Sequence, residues 1–187
     1  MPVPDDATLV VDFLNTVDID EDVDLLSNDP EYRSWALARG LPATRRKVAR
    51  SLRDALRARL VGEAAELPRV PLFVAVDAGR TPHAVVEDVV TAVLAAALAL
   101  VERGEWARIK LCPNPVCLEA FYDRSKNRSR AWCDMAGCGS TMKARAYRAR
   151  RRGATSSATT TTANPGLAAS VRSTAITPSS GRDRLLP

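Results

Sequence analysis

Aromatic residues are scarce in this 187-residue chain, at 5%, so any core has to be mainly aliphatic. Tyr122, Trp132 and Tyr147 are too few to make the stacked-ring platform of a single-strand nucleic-acid binder. Histidine occurs once, as His83, and the chain has no HExxH motif, no nucleophile paired with a base and no Gly-rich phosphate loop. An enzyme is therefore not expected, and His83 is expected on the first turn of a helix. Long apolar runs are also lacking. The longest, Val89–Val101, is broken by Thr91 and falls short of the roughly 20 residues a membrane span requires. Met1–Asp6 carries acid instead of base, and no apolar stretch leads to a cleavage site, so the expectation is a cytoplasmic protein without membrane association. At 46% hydrophobic and 26% charged, the composition is that of an ordinary globular protein and excludes a wholly disordered or collagen-like chain.

The charge is unevenly distributed. The net +5 divides into −6 over residues 1–107, +9 over residues 108–152 and +2 over the remainder. A basic block of this density predicts a polyanionic partner. Three regions follow: a helical domain at 1–107, a cysteine-bearing basic module at 108–152, and a Ser/Thr/Ala-rich tail at 153–187 with no apolar period, read as disordered.

Within the first region, apolar spacing predicts a helix over Thr8–Val17, followed by an acidic loop over Asp18–Asp29. Asp29 is expected to cap a helix that carries Tyr32, Trp35 and Ala36 and stops at Gly40. Thr44 is expected to cap the next, with Val48, Leu52, Leu56 and Leu60 inward and its arginines on the remaining surface. Alternation over Val70–Val76 predicts a short strand, and Thr81-Pro82 the start of a long Ala/Val/Leu helix ending near Gly104. Asp12 and Asn15 are read as capping or local hydrogen-bonding residues. The fold class expected is mainly α with a short β element.

All four cysteines lie in the basic block, as Cys112, Cys117, Cys133 and Cys138, in the pattern C-x4-C-x15-C-x4-C. Four thiolates satisfy the tetrahedral preference of Zn2+ and leave no open position for a catalytic water. A segment this short buries too little apolar surface to hold itself together, so one structural zinc is the expected stabiliser. Disulfides would need an oxidising compartment. Pro113 and Pro115 stiffen the first turn, and Gly137 and Gly139 leave room beside Cys138. Ile109 and Leu111 lead in as a strand, Leu118, Phe121 and Tyr122 suit a hairpin, and a helix runs from Ser140 to about Arg152. That order, of knuckle, hairpin and helix, is treble-clef-like.

Arg108–Arg152 resembles the CGNR zinc finger. It has the C-x4-C knuckle, the F-x-D-x-S-[RK]-N stretch (Phe121, Asp123, Ser125, Lys126, Asn127), and Arg130, Trp132 and Cys133 before the closing Cys138-Gly139. LVVDFLNTVD at Leu9–Asp18 and YRSWALARGL at Tyr32–Leu41 are similar to the ABATE domain that usually precedes that finger. The resemblance implies a bacterial, stress-linked transcription regulator, with a helical N-terminal sensor domain open to a small-molecule effector and a zinc-bound DNA-binding module. Ser140-Thr141 stands where the family has Asn-Arg, so any phosphate or base contact made by that Arg is not expected here, while Ser140 or Thr141 can still cap the helix.

The candidate DNA contacts are Arg124, Lys126, Arg128 and Arg130 in the loop between the cysteine pairs, and Lys143, Arg145, Arg148, Arg150, Arg151 and Arg152 on the final helix. Arg145, Arg148 and Arg152 share one helical face. DNA is the expected partner. An RNA- or protein-binding zinc adaptor and a redox-switchable zinc sensor are the alternatives.

Overall fold

A computed structural model describes Val3 and residues 5–157. Helix α1 (Asp5–Leu14) begins three residues before the expected start and places Ala7, Val10, Phe13 and Leu14 in the core. It also stops earlier than expected, because the Thr16 hydroxyl turns back to donate to the Phe13 carbonyl at 2.8 Å. The stretch expected as an acidic loop then makes a miniature antiparallel pair, β1 (Val17–Asp18) with β2 (Val23–Asp24). The turn is held by Asp18 Oδ1, which accepts from the backbone N–H groups of Asp20 and Glu21 at 2.9 and 3.2 Å.

In α2 (Asp29–Leu37) the cap is Asn28 instead of the expected Asp29, its side chain accepting from Glu31 N–H at 3.0 Å. Gly40, at φ +66°, ends the segment in the left-handed conformation glycine adopts without penalty. Helix α3 (Arg46–Leu60) is not capped by Thr44. The Thr44 hydroxyl instead donates to Asp88 Oδ2 at 2.6 Å, and Arg45 clasps both oxygens of the same carboxylate at 2.7 Å. Asp88 is 1% exposed and is itself the cap of α4 (Val89–Glu102), in a reciprocal box with Thr91. A buried carboxylate requires partners, and the start of α3 supplies them. Burial by itself would raise the Asp88 pKa, but these hydrogen bonds outweigh it and hold the carboxyl below the usual range.

The capping box also explains why α4 starts later than Thr81-Pro82. Pro82–Ala84 forms β4, antiparallel to β3 (Val74–Val76), with His83 opposite Ala75. His83 therefore lies on an exposed strand instead of a helix. The strand expected over Val70–Val76 is confined to its last three residues.

A single turn at Trp106–Arg108 leads into β5 (Ile109–Leu111), which pairs with β6 (Ala120–Tyr122) in antiparallel register, Ile109 opposite Tyr122 and Leu111 opposite Ala120. Helix α1 packs on α3, on α4 and on this hairpin. Ile109, Ala120 and Tyr122 accordingly belong to the same apolar cluster as Phe13, Leu52 and Val93. At about 1.5–3 kcal/mol for each large apolar side chain buried, the cysteine-bearing segment has a substantial share in that core.

Helix α5 (Ser140–Ser157) closes the described chain and runs past the expected tail boundary at Gly153. The rest of the expected tail, 158–187, lies outside the described residues. Residues 1–148 form one compact unit, and the turns of α5 from Ala149 belong to another. Among the described residues no helix is long and apolar enough to cross a membrane.

Candidate metal centre and basic helix

Two local turns bring the cysteines together. Cys112 follows β5 and extends the hairpin by donating its N–H to the Glu119 carbonyl at 2.8 Å. The Asn114 carbonyl accepts from the N–H groups of Cys117 and Leu118 at 2.9 and 3.1 Å, and Leu118, at φ 51°, turns the chain back into β6. The second pair brackets a wide turn at Met135–Gly139 that opens α5. Asp134 caps it by accepting from the N–H groups of Ala136 and Gly137. The glycines around Cys138 leave room for neighbouring side chains. A Cβ on Gly137 would lie 2.9 Å from Asp134 Oδ2, the oxygen that caps the turn, and one on Gly139 would lie 2.8 Å from Sδ of the exposed Met135, which would have to turn aside.

The four Sγ atoms lie within 4.8 Å of one another, with Cys117 and Cys133 3.6 Å apart. Zinc–sulfur bonds of about 2.3 Å put tetrahedral edges near ~3.8 Å, so the donor set fits the ion. Cys112 is buried and the other three are partly buried. Burial pushes the Cys117 thiol up to about 11 and, together with hydrogen bonds from neighbouring thiols, moves Cys133 upward as well. Cys138 moves the other way, chiefly because Asn114 Nδ2 donates to its sulfur at 3.3 Å. Ionisation of the set thus depends on the cation that binds it.

The centre is fastened to the helical core by residues whose role the sequence reading missed. Asn15, expected to bond locally, reaches 105 residues along the chain. Its Nδ2 donates to the Ala120 carbonyl at 2.9 Å and its Oδ1 accepts from the Ala120 N–H at 2.7 Å. Arg57, expected on the outer surface of α3, bridges the Leu14 and Leu118 carbonyls at 2.8 Å each. Arg53 on the same helix is 2% exposed and paired with Asp24 and Asp54. Asp12, the other polar residue of the α1 motif, pairs with Arg39 at 2.7 Å. The only hint in the sequence was that these polar residues adjoin apolar helical stripes.

Behind the metal turns, Asp123 organises the 123–130 loop. Fully buried, it accepts from Lys110 Nζ at 2.7 Å and from the N–H groups of Ser125 and Arg130 at 2.8 and 3.0 Å. Burial would raise its pKa, but the hydrogen bonds from Lys110 and Ser125 prevail and hold the carboxyl down to about 2. Arg108 donates to the Asp123 and Ser125 carbonyls, both at 2.9 Å. The F-x-D-x-S motif is therefore a loop-building device.

The candidate cations fall into two groups. Arg128 donates to the Gly104 carbonyl at 3.0 Å, while Arg130 lies over the Phe121 ring and donates to the Trp132 carbonyl at 2.8 Å. These two brace the loop, and Arg124, Lys126 and Arg128 are exposed. On α5, Lys143, Arg145, Arg148, Arg150, Arg151 and Arg152 are all exposed. Lys143 and Arg145 rest against the sulfurs of Met135 and Met142. Ser140, at the position of the family's Asn, donates its hydroxyl to the Ala136 and Gly137 carbonyls.

A hairpin and a helix joined through a four-sulfur cluster define a structural zinc module. Residues 108–151 match the family model of the CGNR zinc finger, and the chain binds one zinc ion through this domain. No curated protein gives a significant match to the chain.

Proposed function

We infer that the protein is a DNA-binding transcription regulator whose zinc finger presents α5 to duplex DNA. The observation that carries this reading is α5 itself. Lys143, Arg145, Arg148 and Arg150 are exposed on a helix that opens directly after the metal ligand Cys138. Among the described residues none of these four forms an ion pair, so their charge is available to phosphates. Zinc fixes where the helix begins, and an exposed basic helix has the dimensions of a major groove. The hairpin, two cysteine pairs and helix support a treble-clef arrangement of the module. The ABATE-like character of the N-terminal helices supports a sensor role. A cleft of about 610 Å³ between α1, α4 and the β3–β4 hairpin, walled by Leu9, Leu72, Ala96 and His83, offers an effector a place.

The test is fluorescence anisotropy of the full chain with a labelled duplex across a salt series. Log affinity should fall with log salt at a slope of about −4 to −6, near −0.9 per phosphate contacted. R145A/R148A should flatten the slope by about two contacts with zinc content unchanged, and R33A should leave it alone. Binding that ignores salt, or survives R145A/R148A unaltered, would refute the reading. Tighter binding to single-stranded RNA than to duplex DNA would establish the adaptor alternative in its place.

A further inference from the structure

The β3–β4 hairpin is a two-stranded sheet, and its two free edges are not alike. The Val85 N–H donates to the Phe73 carbonyl at 2.8 Å, and the Asp77 N–H donates to the Thr81 carbonyl at 3.3 Å. Antiparallel ladders alternate, so Phe73, Ala75 and Asp77 turn their backbone groups towards β4, while Val74 and Val76 turn theirs outward. On β4 the outward positions are Pro82 and Ala84, and Pro82 has no N–H to offer. One edge is blunted and the other is open. We propose that the open edge of β3 is where two copies of this chain pair, antiparallel across a two-fold axis, into a four-stranded sheet.

The open edge carries none of the usual protection against pairing. Val70–Val76 holds no charged residue, and the side chains at the edge belong to Val74 and Val76, which are 67% and 62% exposed. Among the described residues nothing bonds to their outward backbone groups. The register also suits a second copy of the same strand. A two-fold axis at Ala75 sets Val74 opposite Val76 of the other copy, and each of the two such pairs exchanges both of its hydrogen bonds. Ala75 then faces its own counterpart where antiparallel strands come nearest, about 4.5 Å between Cα atoms, and a methyl group leaves room there. Valine opposite valine is a favourable cross-strand pair.

The apolar area fits as well. Val86 and Leu98 line the same cleft as Val74 and are exposed, as is Phe73 beside it on the strand. With Val76, these side chains leave on the order of 400 Å² of apolar surface in water, the size of patch that marks an interaction site. A standard interface buries about 800 Å² a side, a little over half of it apolar, so the patch supplies most of the apolar share a stable dimer needs. A hairpin of two strands is also marginal by itself, and joining it to a second removes that weakness. Such a dimer would carry two copies of α5, matching a duplex with two half-sites.

Sedimentation velocity of the zinc-loaded full chain provides the test, which reads mass alone and does not depend on DNA binding. The wild type should sediment as a dimer that dissociates in the micromolar range. V76P removes one outward N–H from each copy and leaves the β3–β4 ladder intact, because the Val76 N–H points away from β4. Two hydrogen bonds lost across the axis should weaken the dimer about thirtyfold. V74K/V76K keeps every N–H but sets lysine opposite lysine, and should be monomeric where the wild type is dimeric. V61K, at a half-exposed valine after α3, should dimerise like the wild type. Circular dichroism and zinc content should be the same in all four proteins. A wild type that stays monomeric to about 100 µM, or V76P and V74K/V76K proteins that dimerise as the wild type does, would overturn the proposal. Wild-type assemblies larger than a dimer would also overturn it, since they need a second pairing edge.

Discussion

Replacing Asn15 by Ala tests whether the metal module and the helices are one folded body. The Asn15 amide makes both of its bonds to a single peptide unit, at 2.9 Å to the Ala120 carbonyl and 2.7 Å from the Ala120 N–H, as a neighbouring strand would. Ala120 is 1% exposed, so when the amide is removed water does not readily replace it. Two net hydrogen bonds are worth about 2 kcal/mol, and two backbone groups left buried and unpaired bring the loss to about 2–4 kcal/mol. For a body of this size that corresponds to a fall of roughly 5–12 °C in the thermal midpoint. Urea unfolding of the zinc-loaded chain, followed by helix signal and by Trp fluorescence, should show both probes shifting together. Asn15→Asp should be as damaging as Ala, because it keeps the acceptor for the Ala120 N–H but sets a carboxylate against the Ala120 carbonyl. A loss below about 0.5 kcal/mol, within the range of an inconsequential surface change, or a shift in one probe alone, would refute the single-body argument.

Cys112→Ser or exhaustive chelation should remove the zinc and lower the thermal midpoint of the whole body, since Ile109, Ala120 and Tyr122 belong to the helical core; atomic absorption and circular dichroism read the two effects. Asp123→Asn should destabilise the protein near neutrality, with the gap closing in acid. Its carboxyl is held down to about 2 from 3.8, so its contribution is fully present above about pH 4 and is lost as pH falls through the folded value. Urea midpoints of the two proteins that stay apart at pH 2 would contradict this. Thr141→Arg, which restores a cation the family carries on the exposed start of α5, should steepen the salt slope of duplex binding by about one contact in the anisotropy assay.

The zinc ligands were fully legible in the sequence, because four cysteines at C-x4-C-x15-C-x4-C admit few chemistries and their turns are built locally by Asn114, Asp134 and two glycines. The apolar faces of α1 and α3 and the apolar run of α4 were legible for a similar reason, since periodicity and composition are properties of neighbouring residues. Helix starts were misplaced wherever a distant partner decided them. Thr44 looks like a cap until Asp88, buried 44 residues later, draws its hydroxyl away, and Pro82 looks like a helix start until His83 pairs across to Ala75. Arg53 and Arg57 read as surface charge because nothing local reveals that Asp24 neutralises one and that the Leu14 and Leu118 carbonyls receive the other. By itself, the sequence determined the metal, its ligands, the basic helix and the amphipathic stripes, all of which depend on composition and short-range spacing. Only the tertiary structure decided that the zinc hairpin belongs to the helical core and that Asn15 and Arg57 fasten it there. The reason is that burial and long-range hydrogen bonds arise only once residues a hundred positions apart are packed together.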